Sequence, residues 1–330
     1  MTTSQRRTLG LFVVVSIAFG GTFVAAKAGL ETVPPLLLVA LRFDIAALLL
    51  AGYVVARTDR AELIPKTRSD VAGILAAGLF AIGLANGLLF VGQGSVTSGV
   101  GSILFALVPI FTPLFAGVLL SDERLSTAGL GGTVVGLIGV GMVIEITPTT
   151  LVETVSGGAL IILAGAVSLA IGTVLIRRAE PTLSSTVRTA WALPISALLL
   201  HGLSVAAGES PAAVEWTLGA IISLGYLSVI AGAVAYIAYF NLLDSAGASQ
   251  SSLVFYASPI VATLGGWLLL GESLSAMTVT GFGVVLAGFL LIGSESLSPV
   301  VRKATRRLAG RQTTIRIRHD GSFEYQHRHD

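Results

Sequence analysis

Ten stretches of this chain are each long and apolar enough to cross a lipid bilayer, and only short polar gaps separate them. Their approximate limits are 8–29, 34–56, 71–92, 95–120, 127–146, 156–177, 184–206, 217–242, 246–270 and 276–295. A helix needs about 20 mostly apolar residues to span the hydrocarbon layer. Every backbone N–H and C=O in that layer must be satisfied within the protein, so these stretches are expected as helices. The alternating pattern of a membrane β-barrel is absent. Composition agrees: of 330 residues, 54% are hydrophobic and 12% charged, against about a quarter charged in soluble domains. With no cysteine, a disulfide framework, a thiolate nucleophile and a cysteine metal site are excluded. The expected fold is an all-α polytopic membrane protein with ten transmembrane helices.

Arg6 and Arg7 followed by LGLFVVVSIAFGG resemble the start of a signal peptide. The apolar run is longer than a typical signal core, so it is read as a first helix that stays. Charge then sets the orientation, because positive residues near helix ends mark the cytoplasm. Alternate gaps carry Arg6 and Arg7; Arg57, Arg60, Lys66 and Arg68; Arg124; and Arg177, Arg178 and Arg188. The tail adds Arg302, Lys303, Arg306, Arg307, Arg311, Arg316, Arg318 and Arg328. The other gaps have Lys27 and the acids Glu145, Glu153, Glu209, Glu215 and Glu272. Both termini are therefore expected in the cytoplasm of a multi-pass plasma-membrane protein. This topological signal accounts for the net charge of +2 without any nucleic-acid partner.

The chain also repeats itself. LLSDERLS at 119–126 returns as LLLGESLS at 268–275, each after an apolar run holding a proline. At an offset of 150, Phe90 matches Phe240, Ser102 matches Ser252 and Pro109 matches Pro259; at 149, Glu123 matches Glu272, Gly132 matches Gly281 and Gly139 matches Gly288. The expected halves are a first five-helix repeat, 1–150, and a second, 151–296, followed by a basic cytoplasmic tail, 297–330. An odd number of helices per half inverts the second copy in the membrane, as in many secondary transporters.

This ordered set resembles the drug/metabolite transporter superfamily, EamA type. It comprises ten helices in two halves, an arginine early in the second (LRFDIAALLL, 41–50), prolines in the fourth and ninth, and an acidic turn before a glycine-rich helix. The resemblance runs over roughly 8–295 and is strongest at 102–139 and 252–288. It departs from the family at Ser121-Asp122, where a glycine commonly precedes the glutamate, and at Phe19-Gly20-Gly21, where many members carry a tryptophan. The resemblance implies export or exchange of small metabolites, amino acids, sugars or drugs.

Polar residues at membrane depth mark candidate sites. Asp44, about 15 Å along the second helix, is a candidate coupling carboxylate; otherwise it is an acid held by a neighbouring base or hydroxyl. Arg42 matches the family's arginine and either grips an anionic substrate group or satisfies backbone carbonyls. Asn86 and Tyr236 are equivalent at the 150 offset, which suits a cavity on a pseudo-two-fold axis. Trp191, Tyr239, Asn241, Gln250 and Tyr256 add polar or aromatic surface, which an organic solute or the membrane interface would use. Ser102 and Ser252 read first as packing positions and Lys27 as an interface anchor. Pro109 and Pro259 are the candidate gating bends. Gly132-x-x-x-Gly136 predicts close packing of the fifth and tenth helices. Glu123 and Glu272 are expected to cap the helices that follow them.

In the tail, Asp320-Gly321 between alternating apolar residues signals a small hairpin, marginal on its own, and the alternative expected is disorder. His319, His327 and His329 are read as a solvated cluster, with no metal site and no cofactor expected. The function expected is a secondary transporter of small organic metabolites, an exporter or exchanger working by alternating access. Protons and a second copy of the chain are candidate partners beside the substrate and the bilayer. The mostly neutral polar residues favour an amphipathic or zwitterionic solute. No nucleotide-binding G-x-x-x-x-G-K-[ST] motif is present. The alternatives are a membrane-embedded lipid-modifying enzyme, which would need clustered catalytic residues, and a passive channel, which would need rings of charge or a carbonyl filter.

Overall fold

A computed structural model describes residues 3–120, 127–143, 157–246, 254–273, 275–288, 290–291, 314–317 and 323–326. Glu123, Arg124, Glu145, Glu153, Gln250, Ser252, Asp320-Gly321 and the three tail histidines lie outside the described residues. Ten helical rods account for most of the rest. They are α1 (Thr3–Gly29), α2 (Pro35–Arg57), α3 (Arg68–Leu75, Ala76–Leu84 and Ala85–Gln93), α4 (Ser98–Phe105 and Val108–Leu119), α5 (Thr127–Val143), α6 (Gly157–Ala179), α7 (Ser185–Ala206), α8 (Leu218–Gly225, Tyr226–Val234 and Ala235–Ala246), α9 (Val254–Leu270) and α10 (Ala276–Gly288). Among the described residues seven of these are long and apolar enough to cross a membrane; α5, α9 and α10 are shorter apolar helices. The chain is a multi-pass α-helical membrane protein. Its tail pairs β1 (Thr314–Ile317) with β2 (Phe323–Gln326) antiparallel, Ile315 opposite Tyr325 and Ile317 opposite Phe323, so the expected hairpin forms.

Helix starts follow local chemistry. The Thr67 hydroxyl accepts from the Asp70 amide at 3.0 Å, and the Asp70 carboxylate accepts from the Thr67 amide at 3.1 Å, closing a capping box on α3. Thr217, at the 150 offset from Thr67, does the same for α8 by accepting from the Ala220 amide at 3.1 Å. Ser184 opens α7 by accepting from Val187, and Pro34-Pro35 opens α2, where a missing N–H costs nothing. Outward faces are apolar: Leu48, Val118, Leu198 and Leu269 are each at least three-quarters exposed. A patch that large fits lipid rather than water.

Packing comes in exchanged pairs. Helix α1 lies on α8 and α9, while α6 lies on α3 and α4; α2 also touches α8, and α7 touches α3. Helix α2 packs along α7, and α4 along α9. Acidic clamps are reciprocal as well. Glu209, just after α7, accepts from the Leu36 and Leu37 amides of α2 at 3.1 and 2.8 Å. Asp70, after α2, accepts from the Thr182 and Leu183 amides ahead of α7 at 2.7 and 3.1 Å. These clamps fix the two ends of the bundle. One end carries Lys27, Leu36, Glu209 and Glu272; the other carries Leu63, Asp70, Thr182 and Trp191.

The fifth and tenth helices cross at glycines, as their sequences predict. A Cβ on Gly139 would lie 2.7 Å from Val285 N and 2.8 Å from Gly281 O, and one on Gly288 would lie 2.6 Å from Gly132 O. Gly132 thus meets the equivalent of Gly139, and Gly139 meets the equivalent of Gly132. A two-fold contact has this reciprocal form. Side chains there would force the backbones apart, so Gly139→Val should destabilise the protein by about 1–3 kcal/mol. Gly131→Ala, whose Cβ meets nothing within 4 Å, should be neutral. Thermal unfolding in detergent reads the difference; equal melting temperatures would contradict this packing.

Candidate functional site

Two of the helices that line the cavity depart from regular helix. Residues Ala76–Leu84 of α3 and Tyr226–Val234 of α8 are nine-residue π-helical turns, at matching positions 150 apart. A wider turn leaves carbonyls in need of donors, and neighbouring helices supply them. The Ser196 and Ser168 hydroxyls donate to Gly78 O at 2.8 Å and Phe80 O at 2.9 Å. In α8, Arg42 Nε donates to Leu227 O at 3.2 Å. Gly172 lets α6 approach α3: a Cβ there would stand 2.5 Å from Ala81 N. Each π turn ends just before the equivalent residues Asn86 and Tyr236.

A cavity of about 250 Å³ is lined from α1, α2, α3, α4, α6, α7, α8 and α9. Arg42, Asn86, Tyr236 and Tyr239 all line it. Arg42 is 3% exposed. Its Nη1 donates to Asn86 Oδ1 at 3.5 Å, and its guanidinium sits 5.0 Å from the Phe43 ring centre and 5.6 Å from that of Phe90. Asn86 is oriented by its own donation to Ile82 O at 2.8 Å. Tyr236 is close enough to Arg42 to interact with it electrostatically.

Phe19 heads an aromatic cluster. Its ring centre lies 5.8 Å from Tyr236, 5.9 Å from Tyr239 and 6.2 Å from Phe255. Edge-to-face and offset pairs at such distances are mutually attractive. Ser102 lines the cavity too, beyond its packing role, and its buried hydroxyl has no hydrogen-bond partner. Arg188 and Thr189 of α7 line the end nearer Asp70. Sequence reasoning missed Phe19, Phe255 and Arg188 as cavity residues. The departure at Phe19 was the one usable signal.

The structure does not bring Trp191 and Tyr256 to the cavity lining. Trp191 is two positions past Thr189, about 200° around the helix; it faces outward, with Nε1 donating to Leu63 O at 2.7 Å. Tyr256 is half-buried and turned about 100° from Phe255. Asn241 bonds within its own helix, to Ile237 O. Asp44 also lies off the cavity, on the flank between α2 and α7, where Oδ2 is 2.8 Å from His201 Nε2. Both side chains are partly exposed, 43% for Asp44 and 38% for His201. The base that holds Asp44 is thus a histidine 157 residues away.

Pro109 and Pro259, the candidate gating bends, sit in their expected helices but in different settings. Helix α4 is interrupted at Ala106–Leu107, just ahead of Pro109, whereas α9 runs unbroken through Pro259. The end of α4 nearer Lys27 is latched. Both oxygens of Glu272 accept from the Ser98 amide, at 3.0 and 2.9 Å. Glu272 therefore caps α4, not the helix after it, because Ser275 caps α10 by accepting from the Thr278 amide. Lys27 Nζ donates to Gly94 O at 2.8 Å and Val96 O at 2.9 Å, tying α1 to the α3–α4 turn.

The chain has no cysteine, so single cysteines report accessibility cleanly. Asn86→Cys and Thr189→Cys, which line the cavity, should react with a water-soluble thiol reagent. Leu193→Cys, fully buried on α7, should not; labelling of all three alike would dissolve the cavity as drawn.

Comparison with known proteins agrees with this geometry. The model of the EamA-like transporter family matches twice, over residues 6–145 and 156–294. An uncharacterized transporter of Archaeoglobus fulgidus is 27% identical over 288 residues, covering 86% of this chain and 97% of that protein. The uncharacterized inner membrane transporter YedA of Escherichia coli is 27% identical over 285 residues, covering 86% and 89%. A solved crystal structure shares the fold with a TM-score of 0.60 at 21% identity, covering 87% of this chain and 97% of the other. The chain belongs to the EamA-like transporter family, with the family domain present twice.

Proposed function

We propose that this membrane transporter is a secondary carrier of small organic metabolites, an exporter or exchanger, and that it works by alternating access. Its ten helices form two five-helix halves inverted in the plane of the plasma membrane, with both termini in the cytoplasm. The observation that carries this reading is the symmetric pair Asn86 and Tyr236, which line one cavity directly after matching π turns. The reciprocal glycine contacts of α5 and α10 support it from outside the cavity. An inverted pair has two equivalent ways to pack, and exchanging them moves the opening from one face to the other.

In that cycle Arg42, Asn86, Tyr236 and Tyr239 hold the substrate, joined by Phe19. Trp191 and Tyr256 take part only in a conformation that turns α7 or α9. Pro109 and Pro259 are the bends: one helix interrupted beside its proline, its twin continuous, are the two shapes that the exchange requires. Glu272 on Ser98 and Lys27 on the α3–α4 turn latch the non-cytoplasmic side. Asp44 with His201 is the proton-coupling pair, because an ionisable pair at membrane depth is costly unless it works.

Counterflow in proteoliposomes, run with a substrate panel at two pH gradients, tests the carrier. Saturable exchange is expected from wild type, and Asp44→Asn should keep exchange while losing its pH response. Folded protein that exchanges no panel member would contradict the reading.

A further inference from the structure

We infer that the ligand of the central cavity is a small organic monocarboxylate with an apolar or aromatic body, carrying no cationic group. This rests on the carrier reading for its role and on the cavity itself for its chemistry. Arg42 lines the cavity at 3% exposure. A guanidinium has five N–H donors, and here one goes to Leu227 O and one to Asn86 Oδ1. No carboxylate among the described residues reaches it. The acid nearest to it in sequence, Asp44, is engaged by His201 on the flank. A buried cation without a counter-charge is costly at membrane depth, and the Phe43 and Phe90 faces offset that only in part.

The second observation is independent of the arginine. Ser102 lines the same cavity, 1% exposed, with a hydroxyl that has no protein partner. Cation and hydroxyl together suit a carboxylate, which accepts two parallel bonds from an arginine fork. Among the described residues the other charged lining residue is Arg188, which bonds to Ser185 Oγ at 3.3 Å and adds positive potential toward the Asp70 end. No Asp or Glu among the described residues lines the cavity, so none of them would neutralise an ammonium. Amino-acid zwitterions and organic cations are thereby disfavoured, which narrows the solute expected from sequence. Phe19, Tyr239 and Phe255 supply an aromatic wall for the body. At about 250 Å³ the cavity is below the usual range for drug-sized ligands, which limits the body to roughly one ring.

The test is titration calorimetry on the full chain in nanodiscs with four probes that share one body. They are 3-phenylpropionate, 3-phenylpropylamine, phenylalanine and phenyl phosphate. The carboxylate should bind at least about tenfold more tightly than the amine or the zwitterion. Arg42→Gln should weaken it by roughly 10- to 100-fold, with Arg42→Lys between. Ser102→Ala, which removes a group with no structural partner, should weaken it by about 2- to 10-fold and serves if Arg42→Gln fails to fold. Equal or tighter binding of the amine or the zwitterion would overturn the inference. So would preference for phenyl phosphate, absence of carboxylate binding, or unchanged affinity in these variants. Counterflow with the same probes separates the two readings. A carboxylate that binds but never exchanges removes the carrier and leaves this inference; an amine that exchanges saturably does the reverse.

Discussion

Everything in this fold answers to one requirement: a backbone polar group in hydrocarbon must find its partner inside the protein. Regular helices meet it unaided. The two π turns do not, and the surrounding helices are placed so that Ser168, Ser196 and Arg42 can complete them. Helix ends face the same demand where they leave the bilayer. Glu209 and Glu272 each accept from backbone amides of another helix, Asp70 accepts from amides just ahead of α7, and Lys27 donates to carbonyls at the end of α3. These long-range caps link elements far apart in sequence. Secondary-structure satisfaction and tertiary assembly are here the same set of bonds.

The same requirement explains why the site lies where it does. A π turn widens the helix and is tolerated where protein or a cavity adjoins it. Two such turns occur at equivalent positions, and Ala77, Ala81 and Ile82 of the first line the cavity. Arg42 joins the two roles by bonding a π-turn carbonyl with Nε while its remaining face lines the cavity. Any movement of α8 relative to α2 must alter that bond. The cavity lining and the packing of α8 on α2 are therefore mechanically connected through one side chain.

Much of this was legible in the sequence because the signals were periodic or duplicated. Apolar length marked the seven helices long enough to span, among the described residues, and the matched glycines marked the α5–α10 crossing. The 150-residue offset singled out Asn86 and Tyr236. Three kinds of feature were not legible. The π turns contain no proline to announce them, and their register depends on neighbouring hydroxyls. The Asp44–His201 pair joins residues 157 apart, which no local pattern encodes. The aromatic wall used Phe255 and passed over Tyr256 and Trp191, because membrane helices are apolar all round and hydrophobicity cannot say which face looks inward. Glu272 was recognised as a cap, but its target lay on another helix.

The central claim is that the second half is the first half turned over in the membrane. Ser95, in the turn after α3, is equivalent at the 150 offset to Ser245, at the end of α8. The most direct measurement is to place a single cysteine at each position and label intact and inverted vesicles with an impermeant thiol reagent. The account predicts that Ser95→Cys is modified from the outside only and Ser245→Cys from the cytoplasmic side only. Modification of both from the same face would contradict the inverted repeat and the alternating mechanism built on it.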